Sequence, residues 1–160
     1  MPQLKFSFFG IPDKVKKFLN HLKERSGKDK LYIGIPAENT KRRERGLNNA
    51  AIAYIQEFGA PNAGIPPRPF LIPGVNDNKD KAQKAIEAFL KRRETIENAY
   101  SAAGMILVAG VKRRITQGIP PPLAESTLKA RKRIGFKGTK PLIHTGQLVN
   151  SITYVIRKEK

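Results

Sequence analysis

Residues 50–73 read AAIAYIQEFGAPNAGIPPRPFLIP, and the order of helix, stop, proline tract and apolar triplet in this stretch governs how the rest of the chain is laid out. Ile52, Ile55 and Phe58 fall on one face of a helix. Asn48 or Asn49 stands where a side chain caps the first turn, and Gly59 supplies a left-handed exit. Between Ala60 and Pro69 the prolines and Gly64 exclude a regular element, so the backbone is expected to run extended over a surface. Phe70, Leu71 and Ile72 then read as a short strand ended by Pro73 and Gly74.

Upstream, Leu4, Phe6 and Phe8 alternate with Lys5 and Ser7 as a first strand, and Val15, Phe18, Leu19 and Leu22 mark a helix over residues 12–25. LYIGIP, Leu31 to Pro36, reads as a further strand. Residues 37–47 carry Lys41, Arg42, Arg43 and Arg45 without apolar periodicity and read as an exposed basic loop. Downstream, Asp77 to about Gln117 reads as one long helix of about 60 Å. Ala85, Phe89, Ile96, Ala103 and Leu107 lie near one of its faces, and a break is expected near Gly104 or Gly110. GIPPP, residues 118–122, stops it. A short basic helix over Leu123 to Arg133 and a turn region over residues 134–140 follow.

The far end, PLIHTGQLVNSITYVI from Pro141 to Ile156, reads as a turn, a helical turn capped near Thr145, and a closing strand. In that strand Ile152, Tyr154 and Ile156 alternate with Thr153, Val155 and Arg157. Strands before and after a block of helices predict an α+β fold, a small and mainly antiparallel sheet packed by one long helix and two or three shorter ones. With 160 residues and 39% apolar residues, a single domain over 1–160 is expected.

The chain has no cysteine and two histidines, so a disulfide framework, a thiolate centre and a histidine-built metal site are excluded. No uncharged run approaches bilayer length, and the first residues lack a charged leader followed by an apolar core, so neither export by a signal peptide nor membrane spanning is expected. The formal net charge of +18 attracts polyanions: nucleic acid, an anionic membrane or an acidic protein surface. The basic clusters are spread along the chain, at residues 14–17, 41–45, 91–93, 112–114 and 129–133, which fits a folded surface facing a large anionic partner. Solvated helix faces explain any single cluster equally well.

Five stretches carry a family resemblance: Ala53 to Gly59, Pro67 to Leu71, the long helix, Leu123 to Arg131, and Pro141 to Ile143 with Thr145 to Leu148 and Ser151-Ile152. Each is common alone. In this order and spacing, over about residues 30–157, they resemble the neck and tail-completion proteins of tailed bacteriophages, minor components that join head to tail. The resemblance implies a ring-forming structural subunit of the virion, assembled in the host bacterial cytoplasm. Its expected partners are copies of itself, in a hexamer or alternatively a dodecamer, together with connector or head-completion proteins and tail-tube or terminator proteins. The high positive charge and the 37–47 loop lie outside the family's pattern, so contact with the passing genome is not implied by it.

Arg68, Pro69 and Phe70, with Tyr154 on the closing strand, are the candidates for a subunit interface; a guanidinium held between prolines is preorganised for a carboxylate of its own fold or of a neighbour. Phe70 and Leu71 are expected to be buried. Lys41, Arg42, Arg43, Arg45, Lys112, Arg113 and Arg114 are the candidates for contact with a polyanion or an acidic partner. No catalytic constellation is legible and no cofactor is expected. Glu57, Glu87, Glu94, Glu97 and Glu125 sit among Lys and Arg on predicted helices, where surface ion pairing is the ordinary role. His21 and His144 have no further ligands at metal spacing, and GFKGTK, residues 135–140, lacks the spacing of a nucleotide-binding loop and reads as a turn. An independent, nonspecific nucleic-acid-binding protein is the alternative function; an enzyme such as a nuclease ranks last.

Overall fold

A computed structural model describes residues 29–41 and 46–158. The expected strand at 4–8, the helix at 12–25 with His21, and Arg42, Arg43 and Arg45 lie outside the described residues. Two strands, β1 (Lys30–Gly34) and β2 (Thr153–Arg157), and six helices follow: α1 (Asn49–Phe58), α2 (Leu71–Asn76), α3 (Lys79–Lys91), α4 (Ile96–Gln117), α5 (Glu125–Arg133) and α6 (Gln147–Ser151). The fold is α+β, as the strand and helix order predicts.

β1 and β2 pair antiparallel, from Lys30 opposite Arg157 to Gly34 opposite Thr153. On β1 and just beyond it, Leu31, Ile33 and Ile35 alternate inward and are buried. The Arg157 guanidinium lies 5.6 Å from the centre of the Tyr32 ring, across the pair. α4 packs against α2, α3 and both strands. Its buried stripe steps by one turn, Ala99, Ala103, Leu107, Val111 and Ile115, and meets Ala82, Ile86 and Leu90 of α3. Phe70, Leu107, Val111, Ile115 and Ile152 are the largest fully enclosed side chains, each contributing about 1.5–3 kcal/mol through lost apolar exposure.

Two sequence expectations are corrected. The long helix is interrupted, but at neither glycine: it breaks at residues 92–95, where Arg93 takes a left-handed conformation (φ 60°) and the Thr95 hydroxyl caps α4 by accepting from the Asn98 N–H at 3.1 Å. The helix continues through Gly104 and Gly110 because these glycines are points of close approach. A Cβ on Gly104 would stand 2.5–2.9 Å from Tyr154 ring carbons, and one on Gly110 would collide with the Asn78 amide. The apolar triplet Phe70, Leu71 and Ile72 belongs to no strand. It enters α2, and the cause lies thirteen residues upstream, at Glu57.

Candidate functional site

α1 begins where the Asn48 Oδ1 accepts from the Ala51 N–H at 2.8 Å and ends at Gly59, which exits with φ 79°. Beyond it, Ala60 and Ile65 exchange hydrogen bonds (2.8 and 3.1 Å) around a short 3-10 turn at Pro61–Ala63. The proline segment is therefore a closed turn followed by an extended arm, where an extended path throughout was expected. The arm is fastened to α1 by the Arg68 N–H donating to the Gln56 carbonyl at 2.6 Å.

Glu57 occupies the centre of this junction and is buried. Its Oε2 accepts from the N–H groups of Phe70 (2.7 Å) and Leu71 (2.8 Å), and its Oε1 from that of Ile72 (3.0 Å). Pro73 has no N–H, so the carboxylate satisfies every donor that the first turn of α2 leaves without a helical partner. The expectation of a solvated, ion-paired Glu57 is corrected accordingly. It is an internal cap.

Arg68 is buried as well. Its Nε donates to the Pro121 carbonyl at 2.8 Å and its Nη2 to the Pro122 carbonyl at 3.0 Å. The guanidinium meets two backbone oxygens of its own chain instead of a carboxylate, and proline carbonyls suit it because the tract has no N–H of its own to compete. Phe70 is 1% exposed, so neither it nor Arg68 presents surface to a neighbouring subunit. Pro69 is half-buried, its carbonyl accepting from Arg114 Nε at 3.1 Å. Tyr154 is half-buried over Gly104.

These ties close one side of a cleft of about 360 Å³. Ile52 and Gln56 of α1 line it, with Ile65 and Arg68 of the arm, Thr127 and Arg131 of α5, and Leu142 and His144 to Leu148 leading into α6. Arg131 holds the far wall: its Nη1 donates to the carbonyls of Gly138 (2.9 Å) and Lys140 (3.1 Å), and its guanidinium stands 5.2 Å from the centre of the Phe136 ring. The His144 ring meets Phe136 edge-on, with centroids 4.7 Å apart. Partial burial pulls the Arg131 guanidinium below its ordinary pKa. On α4, burial first and the nearby Asp29 charge second push the Tyr100 phenol above its ordinary value. After a turn at Ile134 and Gly135 the segment to Lys140 runs without regular structure, and the Phe136 ring fills the space where a Gly138 side chain would stand.

No family model, curated protein or solved structure matches this chain.

The polyanion candidates divide by environment. Arg113 donates through Nη2 to the Asn78 Oδ1 at 2.8 Å, and Arg114 reaches Asp77 at 3.4 Å besides the Pro69 carbonyl. Both tie α4 to the corner between α2 and α3. Lys112 is half-buried and Lys41 exposed. Among the described residues no group of three or more His, Cys, Asp or Glu side chains comes together as a metal site, and no helix is long and apolar enough to cross a membrane. The residues that sequence reading underrated are Glu57, Asn78 and Arg131. Asn78 is buried, and its amide donates to the Gly74 carbonyl at 2.8 Å while its oxygen accepts from Arg113. A sequence signal existed only for Asn78, whose place beside Asp77 marks a helix boundary.

Proposed function

We propose that this chain is a structural virion protein of a tailed phage, a subunit of the neck or tail-completion ring through which the genome passes. One observation carries the reading. Ala53 to Gly59 with Pro67 to Leu71, and Leu123 to Arg131 with the segment from Pro141 to Leu148, form two regions about fifty residues apart in sequence, yet residues from each line the cleft or fasten its walls. Unrelated short matches have no reason to meet. Stretches that form one interlocked packing unit are what a common scaffold supplies, and this supports taking the ordered motifs together.

In this reading the cleft is a framework junction with no catalytic task. A closed ring needs a heterologous contact, one face of each subunit on a different face of the next. With Arg68 and Phe70 buried, the exposed aromatic pair Tyr54 and Phe58 on α1, ring centroids 4.9 Å apart, offers apolar surface for that contact. The partners are further copies of the chain and the adjoining connector and tail-tube or terminator proteins; the location is the virion, after assembly in the host cytoplasm.

Native mass spectrometry of the purified chain, alone and with the products of its neighbouring genes, tests this. A closed hexamer is expected, a dodecamer being the alternative ring. A strict monomer that is also absent from purified virions overturns it, and a monomer that binds short duplex DNA tightly at physiological salt replaces it with the independent nucleic-acid-binding reading.

A further inference from the structure

α5 stands apart from the other helices in its energetics. None of its residues is buried, and nine residues are too few for a helix to be stable in water by propensity alone. It is fixed from both sides instead: Arg68 grips the Pro121 and Pro122 carbonyls ahead of it, and Arg131 grips the Gly138 and Lys140 carbonyls behind it. Such a helix is displayed more than it is packed.

Its display face is strongly basic. Thr127 and Arg131, one turn apart, look into the cleft, which places Lys129, Lys132 and Arg133 on the opposite side of the helix by its 100° step. All three are exposed, as is Lys137 in the following segment. Between Ser126 and Lys140 there is no acidic residue. Lys129 and Arg133, at i and i+4, repel each other within the helix, and the only ion pair that it makes among the described residues, Lys129 with Glu125 at 3.8 Å, joins side chains that are 78% and 89% exposed. The C-terminal dipole favours these cations in part, but a face of like charges left exposed among the described residues is a local conflict of the kind found at functional surfaces. α3 differs: its exposed Lys81, Lys84 and Lys91 are interleaved with Asp80 and Glu87.

We propose that α5 and the segment after it present a phosphate-contacting surface, built on Lys129, Lys132, Arg133 and Lys137, that holds the backbone of duplex DNA without reading its sequence. The proposal rests on the reading above in naming the polyanion as the genome passing the ring; the surface itself is argued from charge and geometry. The one aromatic residue within the 129–137 run, Phe136, is half-buried and engaged by Arg131 and His144, so its ring is not offered to unpaired bases, which favours a duplex over a single strand. The residues assigned differ from Lys112, Arg113 and Arg114, of which the two arginines are engaged within the fold.

The test is binding of the full chain to a fluorescent duplex of random sequence across a salt series. A variant with K129Q, K132Q, R133Q and K137Q is compared with one that loses equal charge on α3 and just after it, K81Q, K84Q, K91Q and R92Q. The α5 variant is expected to lose about 100-fold in affinity at low salt, and its slope of log affinity against log salt to shrink by about 3.6, since each of the four phosphate contacts contributes about 0.9. The α3 variant is expected to stay within about threefold of the parent. Equal losses in the two variants, or no DNA binding by the parent, overturn the proposal. Displacement of the duplex by poly-glutamate at equal charge also overturns it and assigns the surface to an acidic protein. Native mass is recorded on the same samples: rings without DNA affinity remove this inference and leave the ring reading standing, while DNA-binding monomers do the reverse.

Discussion

The carboxylate of Glu57 reaches across a chain reversal to satisfy three backbone donors at the start of α2. A helix cap is usually supplied from the residue just before the helix, where Phe70 stands here and has nothing to offer. Removing the carboxylate leaves the Phe70 and Leu71 N–H groups in a buried junction without an acceptor, and each such loss costs about 1–3 kcal/mol. Relaxation and entering water recover part of it. Glu57→Ala is therefore expected to destabilise the chain by about 3–4 kcal/mol, and Glu57→Gln, which keeps one acceptor oxygen and loses the charge, by about 1–2 kcal/mol. Urea unfolding with an unchanged m-value checks the order of the two. Equal losses would mean that shape, and not the number of acceptors, is what the junction requires.

At the scale of elements, what was legible in the sequence follows the range of the force that sets each element. α1 is bounded by local chemistry, an Asn cap at one end and a glycine exit at the other, and both can be read from the residues in place. β1, α5 and β2 are likewise readable from alternation or from flanking prolines. α2 is set by a residue on another element, so an apolar triplet before Pro-Gly reads as a strand end until Glu57 is seen beneath it. The cleft shows the same division. Its segments stood out as motifs, whereas the role of Arg68 depends on Pro121 and Pro122 arriving from more than fifty residues away.

The glycines of α4 misled in the other direction. An interior helical glycine costs about 1 kcal/mol relative to alanine, so Gly104 reads as a weakness when it is the seat of the Tyr154 ring. Gly104→Ala sets that propensity gain against an overlap with aromatic carbons in a packed interior, which costs about 1–3 kcal/mol. The overlap wins, and a net loss of up to about 2 kcal/mol is expected. Thermal unfolding checks it, and adding Tyr154→Leu should recover part of the loss. A Gly104→Ala variant as stable as the parent would show that the ring is free to move off the helix.

For the whole molecule the dominant fact is a formal charge of +18. Against it, the ion pairs recorded among the described residues are Arg114 with Asp77 and Lys129 with Glu125, both at least partly open to solvent, and exposed pairs of this kind contribute little. The core must therefore hold the fold together against a net self-repulsion. Salt decides between the two contributions because it screens both. If surface pairing dominated, raising ionic strength would lower the melting temperature; if repulsion dominates, as the residue count argues, it raises it. From about 20 mM to about 300 mM sodium chloride the Debye length falls from roughly 20 Å to roughly 6 Å. A gain of about 1 kcal/mol, seen as about 2–4 °C in melting temperature, is expected. Neutralising the four cations of the α5 surface should reduce that gain, since these residues sit together without acids between them, and a salt response unaltered by their removal would place the repulsion elsewhere on the chain.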